Sequence, residues 1–410
     1  LHQKEIPTMS TSLLYHAFGI KGVKYISTKY KNGTTIFHSE VTNSIECCPE
    51  CKSCNTKRKK GMKVREFKMT PIGSRQTFLR IKIWRLYCDD CQSLRWPNLP
   101  FSEGKKRYTR RFAKFAIDLL HWMTISGTAN LLNVGWDLIK DIHKDHLKRR
   151  YKSPPLENLE YLGIDEFSLR KGHNYMSIFV DLKSGRILHA VEGRSGKDIE
   201  PFLKRIKKRS PKLKAIAMDM SKSYIAAVQE HLPLVPIVFD HYHISALMNN
   251  AIEDVRREQQ AQIDQEGEKL IKGSRFLLLK NYENLSCEKQ DRLNDLLRAN
   301  EPLFTAHTMK EQLRQFWEKD THFEAALFLD AWCTDAEKSG IKALKKVAKT
   351  LMQHSHGLLN YFFHRITSAQ VEGINNKIKT LKRQAYGFRD MVYFKLRLYH
   401  LHSQAYSLTG

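Results

Sequence analysis

The chain has no apolar run approaching the roughly 18 residues that a membrane-spanning helix needs, and no amphipathic lipid-binding segment stands out. No signal peptide precedes its first domain, so a cytoplasmic, nucleoid-associated protein is expected. Acidic residues are scarce: 43 Asp and Glu stand against 69 Lys and Arg, for a formal net charge of +26 and a pI near 9.7. That imbalance calls for a polyanionic partner, and without a membrane-binding segment nucleic acid fits best. Cysteines are few and clustered, six of the eight lying between residues 47 and 91. In a reducing compartment such a cluster suggests metal rather than disulfides.

The 410 residues suffice for about two or three domains with ample core. The most informative stretch is Tyr161-Leu-Gly-Ile-Asp-Glu-Phe-Ser168, where apolar residues run up to the acidic pair Asp165-Glu166. Apolar runs from Tyr175 to Val180 and from Arg186 to Val191 follow, separated by Gly and Ser turns, which predicts a three-strand meander. Lys197 to Arg209 reads as a basic amphipathic helix, Leu213 to Asp219 as a buried strand, Ser221 to His231 as a helix and Pro236 to Asp240 as a strand. The order is β-β-β-α-β-α-β, with Asp165, Asp219 and Asp240 closing the first, fourth and fifth strands. Each of these acids could merely end a strand and cap a turn. Converging strand ends would instead crowd the carboxylates, which repel unless cations lie between them. All-oxygen ligands favour Mg²⁺ or Mn²⁺, and two such ions suit phosphodiester chemistry.

The joint order of Gly163-Ile-Asp-Glu166, Arg170-Lys-Gly-His173, Asp219-Met220, Asp240-His-Tyr-His243, Asn250 with Asp254-Val-Arg-Arg257, Ser368 to Lys379 and Ala385-Tyr-Gly-Phe388 resembles the ISL3 family of insertion-sequence transposases. The resemblance runs from about residue 9 onward. It implies an α/β ribonuclease H-like catalytic core interrupted by an all-α insertion and preceded by a zinc ribbon and a helix-turn-helix domain. It further implies a DDE triad holding two Mg²⁺ or Mn²⁺ ions, element terminal repeats and target DNA as double-stranded partners, and a homodimer or higher oligomer on DNA. The expected activity is hydrolysis at the element ends and joining of the 3′-OH ends to target DNA. A domesticated DNA-binding protein without catalysis, or a nuclease without strand transfer, is the alternative. Leu1 is not an initiator and Met9 opens the family-like segment, so residues 1–8 are expected to be a tag or upstream extension.

In chain order, Val23 to Tyr30 and Thr34 to Val41 alternate around Asn32-Gly33, a hairpin signal. Cys48/Cys51 and Cys88/Cys91 are two C-x₂-C knuckles with the spacing of one structural Zn²⁺ site, fed by a strand from Thr77 to Tyr87. Cys47 and Cys54 leave the register open, since Cys51-x₂-Cys54 is a second knuckle; Cys48 is preferred because Cys-Pro-x-Cys puts Pro in the turn. Cys287 and Cys333 are expected to be buried apolar residues. The run Lys57, Arg58, Lys59, Lys60 is either a solvated face or a phosphate-contacting one. Residues 9–100 form the expected zinc-ribbon domain. Over 101–152, a helix with Arg110 and Arg111, a segment from Thr128 to Leu132, a turn at Asn133-Val-Gly135 and a helix from Trp136 to Arg150 have helix-turn-helix spacing or that of a plain helical connector. Asp137, Asp141 and Asp145 would face phosphates poorly. Ser153-Pro-Pro155 then reads as a stiff linker.

The first part of the core spans 153–245 and a helical insertion 246–355, with turns near Gly273, Asn284, Glu301 and Lys338. The final helices, 356–410, carry Glu372, followed on one face by Asn376, Lys379 and Arg383, while Ile374, Ile378 and Leu381 form an apolar face. Ser368 could cap this helix. Glu372 is either the closing metal ligand or a first-turn acid favoured by the helix dipole. Asp240 and His243 resemble a D-x-x-H motif beside the site, although His243 could equally cap or pack. The acids expected to hold Mg²⁺ are Asp165, Asp219 and Glu372; the expected DNA contacts are Lys57, Arg58, Lys59, Lys60, Arg110, Arg111, Lys379 and Arg383.

Overall fold

The computed structural model describes residues 13–42, 46–151, 154–170, 172, 174–262, 271–367, 369–385 and 387–403. The expected extension at 1–8, Ser153 of the linker, Lys171 and His173, the proposed cap Ser368 and Tyr386 lie outside them. The chain forms two compact units, 1–152 with 403–410, and 153–402.

In the first unit, a single helical turn α1 (Leu13–His16) precedes the antiparallel strands β1 (Val23–Lys31) and β2 (Thr34–Val41). Asn32 and Gly33 both take positive φ, 48° and 71°, as a type I′ hairpin requires. Strands β3 (Thr56–Ile72) and β4 (Arg75–Cys88) make a long antiparallel ribbon; β4 also pairs parallel with β2, and β5 (Ser93–Arg95) adds to its end. Phe37, Phe67, Met69, Leu79, Ile81 and Ile83 fill the core of this sheet. The first half of β3 has no alternating apolar pattern, so sequence reasoning left it as a basic run. Its pairing with β4 makes it a strand, and residues 57–64 stay exposed along it.

Helices α2 (Arg110–Leu119), α3 (Ile125–Leu132) and α4 (Trp136–Arg150) follow. The side chains of Thr109 and Thr124 accept the N–H groups of Phe112 and Gly127 and so set the first two helix starts. The Thr124 cap starts α3 three residues before the expected Thr128. Asn133, at φ 48°, takes the left-handed conformation that ends α3 and turns the chain into α4. Phe112, Ala116, Leu132, Ile139 and Ile142 pack between the three helices. Backbone hydrogen bonds from Lys68 N–H to Arg107 O (2.9 Å) and Thr109 N–H to Lys68 O (3.0 Å) stitch the helices to β3.

The second unit has the expected element order. Strands β6 (Tyr161–Ser168), β7 (Tyr175–Asp181) and β8 (Arg186–Glu192) form an antiparallel meander. Helix α5 (Gly196–Arg209), β9 (Ala215–Met218), α6 (Lys222–His231) and β10 (Ile237–Phe239) come next. The strand order is β10-β9-β6-β7-β8, with β9 and β10 parallel to β6. A capping box between Ser195 and Asp198 starts α5.

After β10 the described chain is helical: α7 (His241–Gln262), α8 (Arg275–Leu279), α9 (Cys287–Ala299), α10 (Glu301–Arg314), α11 (His322–Lys338), α12 (Lys342–Gln353), α13 (Ser355–Leu359), α14 (Tyr361–His364), α15 (Ala369–Gln384) and α16 (Met391–His400). One sheet face, with Leu162, Ile164, Ile216, Met218, Ile237 and Phe239, shares a continuous apolar core with the helices from α5 through α14. The residues expected as an inserted helical segment therefore bury their apolar faces in the same core as the sheet. The opposite face, with Ile178, Val180 and Ala217, is covered by Val371, Ile374, Ile378 and Leu381 of α15 and by Phe394 and Leu398 of α16. Cys333 is buried as expected, whereas Cys287, the first residue of α9, is exposed.

Gly163 lets α15 approach β6. A Cβ there would lie 2.8 Å from both Leu182 Cδ2 and Val371 Cγ2, closer than carbon atoms pack. Gly163→Ala is expected to destabilise the chain by about 1–3 kcal/mol, measured by urea denaturation. An unchanged midpoint would show that the contact is not tight.

Candidate active site and metal centre

Asp219 and Asp240 directly follow the ends of β9 and β10 as expected, whereas Asp165 does not close its strand: β6 continues through Glu166, Phe167 and Ser168, held by its pairing with β7. Gly163 pairs with Ala217 and Phe239 with Met218, so continuing both ladders brings Asp165, Asp219 and Asp240 to one level on three neighbouring parallel strands. Side chains alternate along a strand. Leu162, Ile164, Ile216, Met218, Ile237 and Phe239 face the α5–α14 side, so by alternation the three aspartates belong to the face covered by α15.

Helix α15 runs along β6 in register. Val371 lies against Gly163, the Asn375 amide donates to Asp165 Oδ2 at 2.6 Å, and Lys382 Nζ donates to the Ser168 carbonyl at 2.6 Å. From Val371 to Lys382 the helix rises about 16 Å, and Gly163 to Ser168 extends about the same distance along the strand. Glu372 is exposed one turn ahead of Asn375. Lys379 and Arg383 are exposed farther along the helix, and Ile374, Ile378 and Leu381 are buried as the apolar pattern predicts.

Each acid has distinct partners. Asp165 Oδ1 accepts the Glu166 N–H at 2.7 Å. Burial pushes its carboxyl above the usual range and the charge of Asp219 adds to this, against the Glu166 N–H, His243 and the Asn375 amide, which favour the charged form. Asp219 Oδ1 accepts the Ser221 N–H at 3.1 Å, and Asp240 Oδ1 accepts the Tyr242 N–H at 3.2 Å. His243 Nε2 lies 3.9 Å from Asp240 Oδ2. Glu166 turns to the other face, where Tyr224 donates to it at 3.3 Å and Arg194 lies 3.8 Å away. Burial and then the charge of Asp219 raise the Glu166 carboxyl as well.

Two observations suit a hard cation here: an all-carboxylate donor set at one level, and a buried Asn375 Oδ1 with no hydrogen-bond partner among the described residues. The acids are not drawn into a tight cluster. Among the described residues, the group of three or more potential ligands within 4.8 Å of one another is cysteine. Sequence reasoning missed Asn375; the available signal was an amide three residues after Glu372, on the same side of the helix.

That cysteine group is Cys48, Cys51, Cys88 and Cys91. Sγ atoms of Cys48 and Cys91, and of Cys51 and Cys88, are 3.5 Å apart. Tetrahedral zinc with bonds near 2.3 Å puts sulfur atoms about 3.7 Å apart, so the four fit one such ion. Backbone N–H groups, that of Cys51 foremost, lower the Cys48 thiol to about 6, while the neighbouring sulfurs push Cys51 up to about 12 and raise Cys91, so without an ion the four sulfurs compete for charge. Cys47 and Cys54 are joined as a disulfide, with Cα atoms 4.2 Å apart, which corrects the expectation that the whole cluster stays as thiols. The turn that projects Cys48 and Cys51 to the metal position brings their outer neighbours face to face, and this removes Cys54 from the competing knuckle.

The basic residues divide by partner. Lys57 pairs with Asp89 at 2.9 Å and Arg58 with Glu46 at 2.8 Å, while Lys59 and Lys60 are exposed without an ion pair among the described residues. Arg58 lies 4.3 Å from the Trp84 ring and Lys59 5.3 Å from that of Tyr87. Arg110 and Arg111 are both exposed, and the Arg111 side chain lies over Gly19. On α4, Asp145 pairs with Lys106 at 2.9 Å, and Asp137 and Asp141 flank Lys140 at 3.2 and 3.8 Å.

Comparison with known proteins places these features in context. A family model described as a transposase matches residues 162–398, and the helix-turn-helix domain of transposase family ISL3 matches residues 97–147. The chain is 32% identical over 382 residues to the transposase for insertion sequence element IS1001 of Bordetella parapertussis, covering 92% of this chain and 94% of that one. It is 22% identical over 374 residues to the transposase for IS1557 of Mycobacterium tuberculosis, covering 83% and 82%. A structure of the Drosophila P element transposase strand transfer complex aligns over 72% of this chain and 92% of that one, with 11% identity and a TM-score of 0.37, too slight a likeness to bear on mechanism. No helix among the described residues is long and apolar enough to cross a membrane.

Metal analysis of the purified chain should find one zinc. Cys88→Ser with Cys91→Ser should lose the zinc and unfold its sheet, because structural zinc binding is coupled to folding. Cys47→Ser with Cys54→Ser should keep it. Full zinc in the first double variant would exclude the four-sulfur site.

Proposed function

The chain belongs to the ISL3 family of transposases, and from that premise we propose that it binds the ends of an insertion sequence, hydrolyses their phosphodiester bonds and joins the freed 3′-OH ends to target DNA. The observation that carries this reading is the level set of Asp165, Asp219 and Asp240 beneath a helix that bonds to Asp165 and bears Glu372. A meander followed by two parallel strands, with β6 between its antiparallel and parallel neighbours, is the order of a ribonuclease H-like sheet. The helices between residues 246 and 355 are then an all-α insertion ahead of the helix carrying Glu372.

In this reading Asp165, Asp219 and Glu372 would hold two Mg²⁺ or Mn²⁺ ions, whose chemistry when bound would be to activate water and stabilise the leaving oxygen. Asp240 and His243 sit beside them as supporting groups, with His243 near enough to favour the ionised form of Asp165. Lys379 and Arg383 continue along α15 from Glu372 and are exposed to meet the phosphates flanking the scissile bond. Hydrolysis breaks a P–O3′ bond at the element end and leaves a 3′-OH; that oxygen then attacks a target phosphorus and displaces its 3′ oxygen. No covalent protein–DNA intermediate is involved. End recognition falls to the first unit, through Lys57, Arg58, Lys59, Lys60, Arg110, Arg111 and the helix-turn-helix, with zinc holding the ribbon. Two element ends must be brought together before joining, so a homodimer or higher oligomer acts on DNA inside the cytoplasm.

Asp165→Asn, Asp219→Asn and Glu372→Gln should each abolish cleavage of labelled element ends while end binding stays almost intact. Asp240→Asn should be milder and Glu166→Gln milder still, since Glu166 faces Tyr224 across the sheet. A tenth or more of wild-type cleavage in Glu372→Gln would assign the closing position to another acid. Full activity in Asp165→Asn would overturn the site. Sequencing the joined products separates strand transfer from simple nuclease action.

Binding to element ends should weaken steeply as salt rises, because each phosphate neutralised by Lys or Arg releases counterions. A fragment ending at Tyr151 should keep the preference for end DNA over random DNA. Equal affinity for both would remove end recognition from the first unit.

A further inference from the structure

We infer that Asn375 is a positioning residue for the divalent-cation site, fixing the Asp165 carboxylate from α15. The inference rests on the proposed metal-dependent reading of this site. The Asn375 amide donates to Asp165 Oδ2 at 2.6 Å while the Glu166 N–H donates to Oδ1 at 2.7 Å. Both oxygens are therefore held, one from the strand itself and one from the helix, and the carboxylate plane cannot rotate freely. Each oxygen keeps a further lone pair for a cation. The orientation of the amide follows from charge, since turning it over would set Oδ1 against the carboxylate.

The other half of the amide is the second observation. Asn375 Oδ1 is buried and has no hydrogen-bond partner among the described residues. A buried acceptor without a donor is costly, and native structures keep such groups for a reason. Next to carboxylates of like charge, a hard cation with its water is the partner whose chemistry suits it. Helix α15 is pinned on either side of Asn375, by Val371 against Gly163 and by Lys382 on the Ser168 carbonyl. The amide thus reaches Asp165 from a fixed base, as a group that orients a ligand must.

The test uses the full chain and Mn²⁺ as probe. Mn²⁺ binding is followed by electron paramagnetic resonance without DNA, and cleavage of labelled ends is followed as Mn²⁺ and DNA are varied separately. Asn375→Ala should raise the half-saturating Mn²⁺ concentration about tenfold, the typical loss on removing a group that orients a metal ligand. It should leave the KM for end DNA and the thermal midpoint near those of wild type, and Asn375→His, which restores a donor, should recover part of the affinity. Thr380→Ala, on the same helix with its hydroxyl bonded only to the Asn376 carbonyl, controls for a general disturbance of α15 and should bind Mn²⁺ normally. Unchanged Mn²⁺ binding in Asn375→Ala overturns the inference, as does a loss matched by Thr380→Ala. If Asp165→Asn also binds Mn²⁺ like wild type, the metal-site reading fails; if Asp165→Asn loses Mn²⁺ and Asn375→Ala does not, only the role of Asn375 falls.

Discussion

Carboxylates at one level on adjacent strands repel, and the second unit is arranged around that repulsion. Strands about 4.8 Å apart leave no room for the charges to separate along the sheet. At Asp165 burial raises the carboxyl and the charge of Asp219 adds to this. Both faces of the sheet are otherwise largely apolar, apart from the polar group of Glu166, Ser177 and Tyr224 on the side away from α15. Such an arrangement persists when the surrounding fold over-determines it. Here that restraint comes from Gly163, which admits α15, and from the backbone N–H groups that hold Asp165, Asp219 and Asp240 each by one oxygen.

The two faces of the sheet divide the labour. The face toward α5–α14 belongs to an extensive continuous core that includes the helices after β10, and this core fixes the strands. The face toward α15 and α16 is smaller and ends at the acids. Glu166 shows how close the two roles lie. One residue from Asp165, it points to the opposite face and joins Tyr224, whose hydroxyl also meets Ser177 at 2.5 Å. Adjacent acids on one strand thus serve different ends, one facing α15 and the other bracing the sheet against α6.

Much of this was legible before any coordinates. The acids are visible because apolar runs give way to Asp165, Asp219 and Asp240, although β6 runs on to Ser168 through its pairing with β7, and α15 is visible because Ile374, Ile378 and Leu381 recur at helical spacing. Cysteine pairs at C-x₂-C spacing disclosed the sulfur group, although only folding shows that Cys47 and Cys54 face each other and so choose the register. Three features were hidden for physical reasons. Strand β3 begins as a run of cations whose pairing depends on β4, a tertiary partner that local pattern does not reveal. The apolar core that the sheet shares with α7–α14 depends on contacts across long separations, which local pattern does not reveal. Asn375 was eclipsed by Asn376, because helix periodicity fixes a face to within one residue while a hydrogen bond selects a single side chain.

Charge in the first unit has to be counted net of its partners. Read from sequence, Lys57 to Lys60 are four equal cations and Asp137, Asp141 and Asp145 are three obstacles to phosphate contact. In the fold, Lys57 and Arg58 are already paired with Asp89 and Glu46, while the α4 acids are partnered by Lys106 and Lys140. Exposed ion pairs of this kind are worth about 0–1 kcal/mol, so a phosphate could replace the acid at Lys57 with little loss. Lys59 and Lys60 need no such exchange. The α4 acids are only partly offset, since Asp137 and Asp141 share Lys140, and Asp145 shares Lys106 with Glu103. A basic surface built this way engages phosphates through its unpaired cations first, and the number of phosphates it neutralises sets how steeply log affinity falls with log salt.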